Sequence, residues 1–166
     1  MAQKITISVI GGHQINTEVE QLAHNIGKIV ANMDAILVCG GLYGVMMAVA
    51  RGAKEAGGVT IGILPGKDKK DANPFIDIAL PTSIGYARNA IVACCADIII
   101  ALPGSHGTAS EVSYGLVFGR PVIDLGNWNV KGMIKVKDLK SAEKKIKALI
   151  KQIKKTRDTN ARITRS

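Results

Sequence analysis

Short, nearly continuous apolar runs recur along the chain, at residues 4–10 (KITISVI), 35–39 (AILVC), 60–64 (TIGIL), 76–80, 98–102 (IIIAL), 121–125 and 134–136. Most have no polar alternation, so they read as strands covered on both sides rather than strands with one wet face. Between them the spacing changes to the helical period. Over 17–33, Val19, Leu22, Ala23, Ile26, Ile29, Val30 and Met33 recur on one face, behind a Thr17-x-x-Glu20 capping box. Further helices are expected over 44–56, over 88–96, from about 107 to 118, and over 141–155, where Ala142, Ile146, Leu149, Ile150 and Ile153 form the apolar stripe. Strands alternating with helices predict a parallel α/β sheet of about six or seven strands with helices on both faces. Right-handed crossovers then place every strand's C-terminal end on one edge, where open α/β sheets bind ligands.

Composition changes this picture in two places. The formal charge of +9 is not spread over the domain. Residues 1–130 hold 9 Lys/Arg against 10 Asp/Glu, whereas residues 131–166 hold 13 against 3. The basic character therefore belongs to the C-terminal segment. That segment is read as a closing helix with a solvated lysine face, followed by a loose basic tail over 156–166. Aromatics are scarce there, so base stacking has no platform and nucleic acid is not an expected partner; the basic helix is its only hint. With 166 residues, positions 1–155 make one domain. No apolar run is long enough to span a membrane. Three cysteines, two of them the adjacent pair Cys94–Cys95, suggest neither a disulfide framework nor a metal site, and a reducing cytoplasm is expected. Both members of the pair are expected to pack as small apolar groups.

Candidate chemistry gathers in the glycine-bearing turns at the strand ends: Gly11-Gly12, Gly40-Gly41 with Gly44, and the turn through Gly104, Ser105, His106, Gly107 and Thr108. None matches G-x-G-x-x-G or the P-loop pattern, which leaves an ordinary dinucleotide or ATP site without support. A strand turning directly into a helix nevertheless presents unpaired amides and the positive end of the helix dipole, which favour a phosphate. Arg88 opens a helix where the dipole disfavours a cation, a placement that points to an anionic partner. Glu111 stands three residues after Thr108, so it fits either a capping box or a catalytic carboxylate. His106 is expected to be an exposed turn residue, and no spacing around it suggests a metal site.

The stretches CGGLYGVMMAVARGAKEAGGVTIGILPG, ARNAIVACCADIIIALPGSHGTASE and GRPVI resemble the superfamily of Lonely Guy (LOG) proteins, often mislabelled lysine decarboxylases. The likeness covers residues 5–123 and is nearest the small single-domain branch that includes the molybdenum-cofactor carrier proteins. It implies a Rossmann-like fold. It also implies a phosphate turn at Gly104, Ser105, Gly107 and Thr108, with Glu111 and Arg88 as the residues that support N-glycosidic cleavage in the LOG enzymes. The chain departs from the P-G-G-x-G-T-x-x-E pattern at Ser105 and His106, carries Val112 where many LOG enzymes have a second acid, and reads Ala87-Arg88-Asn89 around the arginine. No lysine sits in any glycine-rich strand-end turn, so pyridoxal decarboxylase chemistry has no anchor. The resulting expectation is a binding or carrier protein for a phosphorylated nucleotide-like ligand: a nucleoside monophosphate, phosphate or a molybdopterin-type cofactor. The alternative is a nucleoside 5′-monophosphate phosphoribohydrolase. The apolar 44–56 helix and the helix bearing Val112, Tyr114, Leu116, Val117 and Phe118 carry more apolar surface than one sheet face covers, which predicts a homodimer or larger.

Overall fold

A computed structural model of the chain describes residues 3–163. Among them the strands are β1 (Thr6–Ile10), β2 (Ile36–Cys39), β3 (Thr60–Leu64), β4 (Ile78–Pro81), β5 (Ile98–Ala101), β6 (Val122–Asp124) and β7 (Ile134–Lys135). The α-helices are α1 (Thr17–Asn32), α2 (Val45–Glu55), α3 (Asn89–Cys94), α4 (His106–Val117) and α5 (Leu139–Ile163). The strands form one sheet in the order β4-β3-β2-β1-β5-β6-β7, and every pairing is parallel. The expected Rossmann-like α/β fold is thus observed.

The near-continuous apolar strands are explained by cover on both faces. Ile7, Val9, Leu37, Ile98 and Ile100 pack with Ala23, Ile26, Val30 and Val49 of α1 and α2 and with Ile146 and Ile150 of α5. On the opposite face Val38, Ile63, Ile99 and Val122 pack with Val92 and Ala93 of α3 and Val112 of α4. The small residues of α1 and α2 have a steric reason. At their crossing a Cβ on Gly27 would run into the Val49 carbonyl, and one on Gly52 into the His24 carbonyl. The edge strand β4 is half-wet, with Ile78 and Leu80 exposed.

Element starts differ from expectation wherever a side chain competes for the cap. Asn16, not Thr17, caps α1: its Oδ1 accepts from Val19 N at 2.9 Å. Glu20 is thereby freed to pair with Arg51 at 3.0 Å. Asp138 and Ser141 cap each other's backbone amides at 2.7 and 3.0 Å, so α5 begins at Leu139. The stretch 156–163, read as tail, continues α5 instead. The physical reason is an anchor: Arg157 donates to Asp97 Oδ1 at 2.5 Å, while Asp97 Oδ2 accepts from Thr6 N at 2.9 Å. Residues 164–166 lie outside the described residues. The Cys94–Cys95 pair is exposed rather than packed, because α3 ends there, whereas Cys39 is buried.

Candidate functional site at the switch point

Strand order reverses between β1 and β5: successive strands run outward from β1 on one side, and the chain then returns to β5 on the other. Ile10 lies opposite Ala101, and beyond that pair the two chains part into their turns. Gly12 N donates to the Pro103 carbonyl at 2.9 Å, which clasps the Gly11-Gly12 turn to the turn at 103–108. A cleft of about 1140 Å³ opens there, roomier than the usual range of about 300–1,000 Å³ for small-molecule sites.

One wall is the start of α4. The helix begins at His106 with Ser105 in the cap position, and Ser105 makes no side-chain cap hydrogen bond. Its first-turn amides lack intrahelical partners and sit at the positive end of the dipole. Gly104 is sterically required, since a Cβ there would collide with Thr108 Oγ1 and lie 2.9 Å from Gly12 N. Thr108 is buried within the first turn, and Ser105 and His106 are exposed on the rim. Because α4 starts earlier than the capping-box reading requires, Glu111 stands beyond the first turn. It is a buried carboxyl of the cleft floor and not a helix cap.

Arg88 reaches that floor from a 3₁₀ turn (Gly85–Arg88) that runs straight into α3. Only 7% of Arg88 and 6% of Glu111 is exposed, and Arg88 Nη1 stands 3.7 Å from Glu111 Oε1. That separation is an ion-pair distance but too long for a hydrogen bond. Arg88 Nε is buried with no hydrogen-bond partner among the described residues, so the guanidinium has donor capacity that this chain leaves unused. Gly40 makes room for it, since a Cβ there would crowd Nη2. Burial raises the Glu111 carboxyl from 4.5 to about 8 and outweighs the opposing pull of Arg88. Burial likewise pushes the Cys39 thiol up to about 12 and draws Arg88 below its ordinary value, though Glu111 counters this. At neutral pH the floor therefore holds a charged arginine beside a mostly neutral carboxyl, a net positive site.

The structure brings together nearly all the residues singled out from sequence. Gly11, Gly12, Gly40, Gly104, Ser105, His106, Gly107 and Thr108 line the cleft, with Arg88 and Glu111. Gly41 and Gly44 do not. Both take positive φ, 77° and 66°, and they shape the turn behind the wall, Gly41 against Leu64 and Gly44 against the Gly12 and His13 carbonyls. Sequence reasoning missed Asn89, His13, Gln14, Met46, Tyr86 and Ser110 as lining residues. Asn89 carried a signal in retrospect: a buried amide next to an arginine at a helix start needs partners. Val112, standing where a second acid was considered, is a core residue at 1% exposure. Among the described residues no group of three or more His, Cys, Asp or Glu could hold a metal ion.

Fold and site define a Rossmann-like α/β domain whose switch-point cleft has an uncapped helix start on one wall and a buried arginine in its floor. Within that class the chain belongs to the SLOG cluster4 family, whose model matches residues 4–157. The resemblance to the LOG superfamily read from the motifs is therefore borne out. The chain is similar to the molybdenum cofactor binding protein of the phototrophic bacterium Rippkaea orientalis, with TM-score 0.83, 33% identity, and 90% of this chain covering 99% of that one. It is similar to the molybdenum cofactor carrier protein of Chlamydomonas reinhardtii, with TM-score 0.81, 32% identity, and coverage of 89% and 99%. It is also 34% identical over 101 residues to a cytokinin riboside 5′-monophosphate phosphoribohydrolase of Rhodococcoides fascians, a match over 57% of this chain and only 50% of that protein's length. No helix among the described residues is long and apolar enough to cross a membrane.

Proposed function

We propose that the protein binds a phosphorylated, nucleotide-like small molecule in the switch-point cleft and acts as a carrier, with a molybdopterin-type cofactor as one cargo. The observation that carries this reading is the pairing of the uncapped α4 start with a buried arginine whose Nε has no partner among the described residues. Two kinds of anion donor face the same space. The amides of Gly104, Ser105, Gly107 and Thr108 would hold a phosphate, with Arg88 neutralising it. The size of the cleft and the likeness to two molybdenum-cofactor proteins support the cargo. Such a cofactor would bring its own redox chemistry; this chain's residues would grip the organic part through its phosphate and shield it. Nothing in this role needs a membrane, and a cytoplasmic setting fits three unbridged cysteines.

A second reading is favoured by one specific contact, the Arg88–Glu111 pair in the cleft floor. In a nucleoside 5′-monophosphate phosphoribohydrolase, an ionised Glu111 would stabilise an oxocarbenium-like sugar or orient a water, with Arg88 steering the carboxylate. A carboxyl raised to about 8 is mostly protonated at neutral pH. This weakens the hydrolase reading there and predicts activity that rises as pH climbs through about 8.

One experiment separates the two. AMP, inorganic phosphate and the pterin cofactor are titrated calorimetrically into the full chain, and free base is assayed in parallel at pH 7 and 9. Binding without base release supports the carrier. Base release that vanishes in Glu111→Ala supports the hydrolase. Absence of binding to all three probes refutes the reading. The exposed Val117 and the stacked Tyr114–Phe118 pair at the C-terminal end of α4 we further read as the contact of a homodimer or larger assembly.

A further inference from the structure

Asn89 lies between the two halves of the cleft floor and is 3% exposed. Its side-chain amide is engaged at both ends. Oδ1 accepts from Arg88 Nη1, and Nδ2 donates to the Gly107 carbonyl at 3.2 Å and to Ser110 Oγ at 2.9 Å. Ser110 Oγ closes the triangle by donating to the same carbonyl at 2.6 Å. The orientation of the amide is thereby determined, because a flipped Asn89 would present its NH₂ donors to a guanidinium that has only donors. The nitrogen that Asn89 holds, Arg88 Nη1, is also the one that stands 3.7 Å from Glu111 Oε1. Asn89 and Glu111 therefore face the same NH₂ group, and it is Asn89 that holds it at hydrogen-bond distance while Glu111 is left outside that reach.

We propose that Asn89 is a positioning residue: it holds the Arg88 guanidinium on its own oxygen and away from Glu111, and ties it to the first turn of α4, so that the arginine's charge stays available to an anionic ligand. The part that concerns the ligand rests on the reading of the cleft as an anion site; the part that concerns Glu111 does not. Without Asn89, Nη1 is free to close on Oε1, and a hydrogen-bonded guanidinium favours the carboxylate. The arginine is then neutralised from within, and the arriving anion meets a net neutral pair. The other groups facing this floor do not substitute. Cys39 from β2 keeps its proton, its thiol being held at about 12. Tyr86, from the 3₁₀ turn, is 85% exposed. His13 and His106 stand at the exposed rim.

The test uses the full chain, wild type, Asn89→Ala, Glu111→Gln and the double variant, with Asn89→Ser replacing the alanine variant if that one does not fold. The Glu111 side-chain carboxyl is titrated by carbon-13 NMR without ligand. In Asn89→Ala its midpoint should fall by about one pH unit or more. AMP is then titrated calorimetrically at pH 7, where Asn89→Ala should bind about tenfold more weakly and the double variant should return to within about threefold of Glu111→Gln. A merely structural role for Asn89 moves neither the midpoint nor this rescue. An unchanged midpoint, or a loss of binding that persists in the double variant, overturns the proposal. If the midpoint falls while wild type binds neither AMP nor phosphate, Asn89 does position Arg88, and it is the anion-site reading that fails.

Discussion

Glu111 shows how far one residue's surroundings decide its chemistry. From sequence alone its spacing from Thr108 fits a cap as well as a catalyst. Burial at 6% exposure beside Arg88 makes it neither an ordinary cap nor an ordinary carboxylate. A stability consequence follows from its raised midpoint. Between 4.5 and about 8 the unfolded chain has released a proton that the folded chain retains, so the group's favourable contribution is full below that window and is lost as pH rises through it. The slope is about 1.4 kcal/mol per pH unit at most, within the window only. Glu111→Gln has no proton to lose. Thermal melts at pH 5, 6, 7, 8, 9 and 10 should show the melting temperature of the variant gaining on wild type at each step up to about 8 and levelling off above it. A difference that stays constant across the series would contradict a raised Glu111. The residues that make the site, Arg88 and Glu111, were legible as types, and the resemblance already placed them together; their 3.7 Å separation and their burial were not legible, because 22 residues of helix, strand and turn separate them.

At the scale of elements, the same device anchors the sheet at two strand starts. Asp97, just before β5, accepts from Thr6 N at 2.9 Å and Thr6 Oγ1 at 3.2 Å. Asp77, just before β4, accepts from Thr60 N at 2.9 Å and Thr60 Oγ1 at 3.1 Å. Each carboxylate replaces the ladder partner that a strand's first amide lacks. The cations that complete the two sites differ: Lys54 comes from α2 at 2.7 Å, and Arg157 comes from the far half of α5 at 2.5 Å. Asp97→Ala should therefore cost about 1–3 kcal/mol through the stranded Thr6 amide, and it should also release the end of α5. Hydrogen exchange is expected to accelerate over residues 155–160 in that variant and to stay unchanged there in Asp77→Ala. Equal exchange in the two variants would show that Arg157 does not hold the helix. The sequence reading ended this helix at 155 because the apolar stripe ends at Ile153; the anchor that carries it further is the long-range contact of Arg157 with Asp97 and the Gln3 carbonyl, invisible to any periodicity.

For the molecule as a whole, the distribution of apolar surface predicts association. Tyr114 (39% exposed) and Val117 (78%) lie on α4 and Phe118 (42%) caps its C-terminal end, away from Val112, through which the helix covers the sheet. Light scattering of the purified chain should return at least twice the 17.5 kDa of one subunit. Replacing Val117 and Phe118 together by lysine should return a folded chain of single mass. A monomeric mass for wild type would rule the assembly out.

By itself the sequence determined the fold class, the order of strands and helices, the edge on which glycine-rich turns collect, and the family, because apolar periodicity and turn chemistry are properties of a few neighbouring residues. Tertiary structure alone decided how closely Arg88 and Glu111 approach, how far burial shifts the carboxyl, that Gly41 and Gly44 stand behind the cleft wall, and that Asn89 rather than Glu111 holds the guanidinium. Desolvation, and which neighbour a buried guanidinium is held against, arise only when distant elements are packed together. The turn at 103–108 was visible from the start as an anion-ready helix end; what it faces became visible only with the floor assembled beneath it.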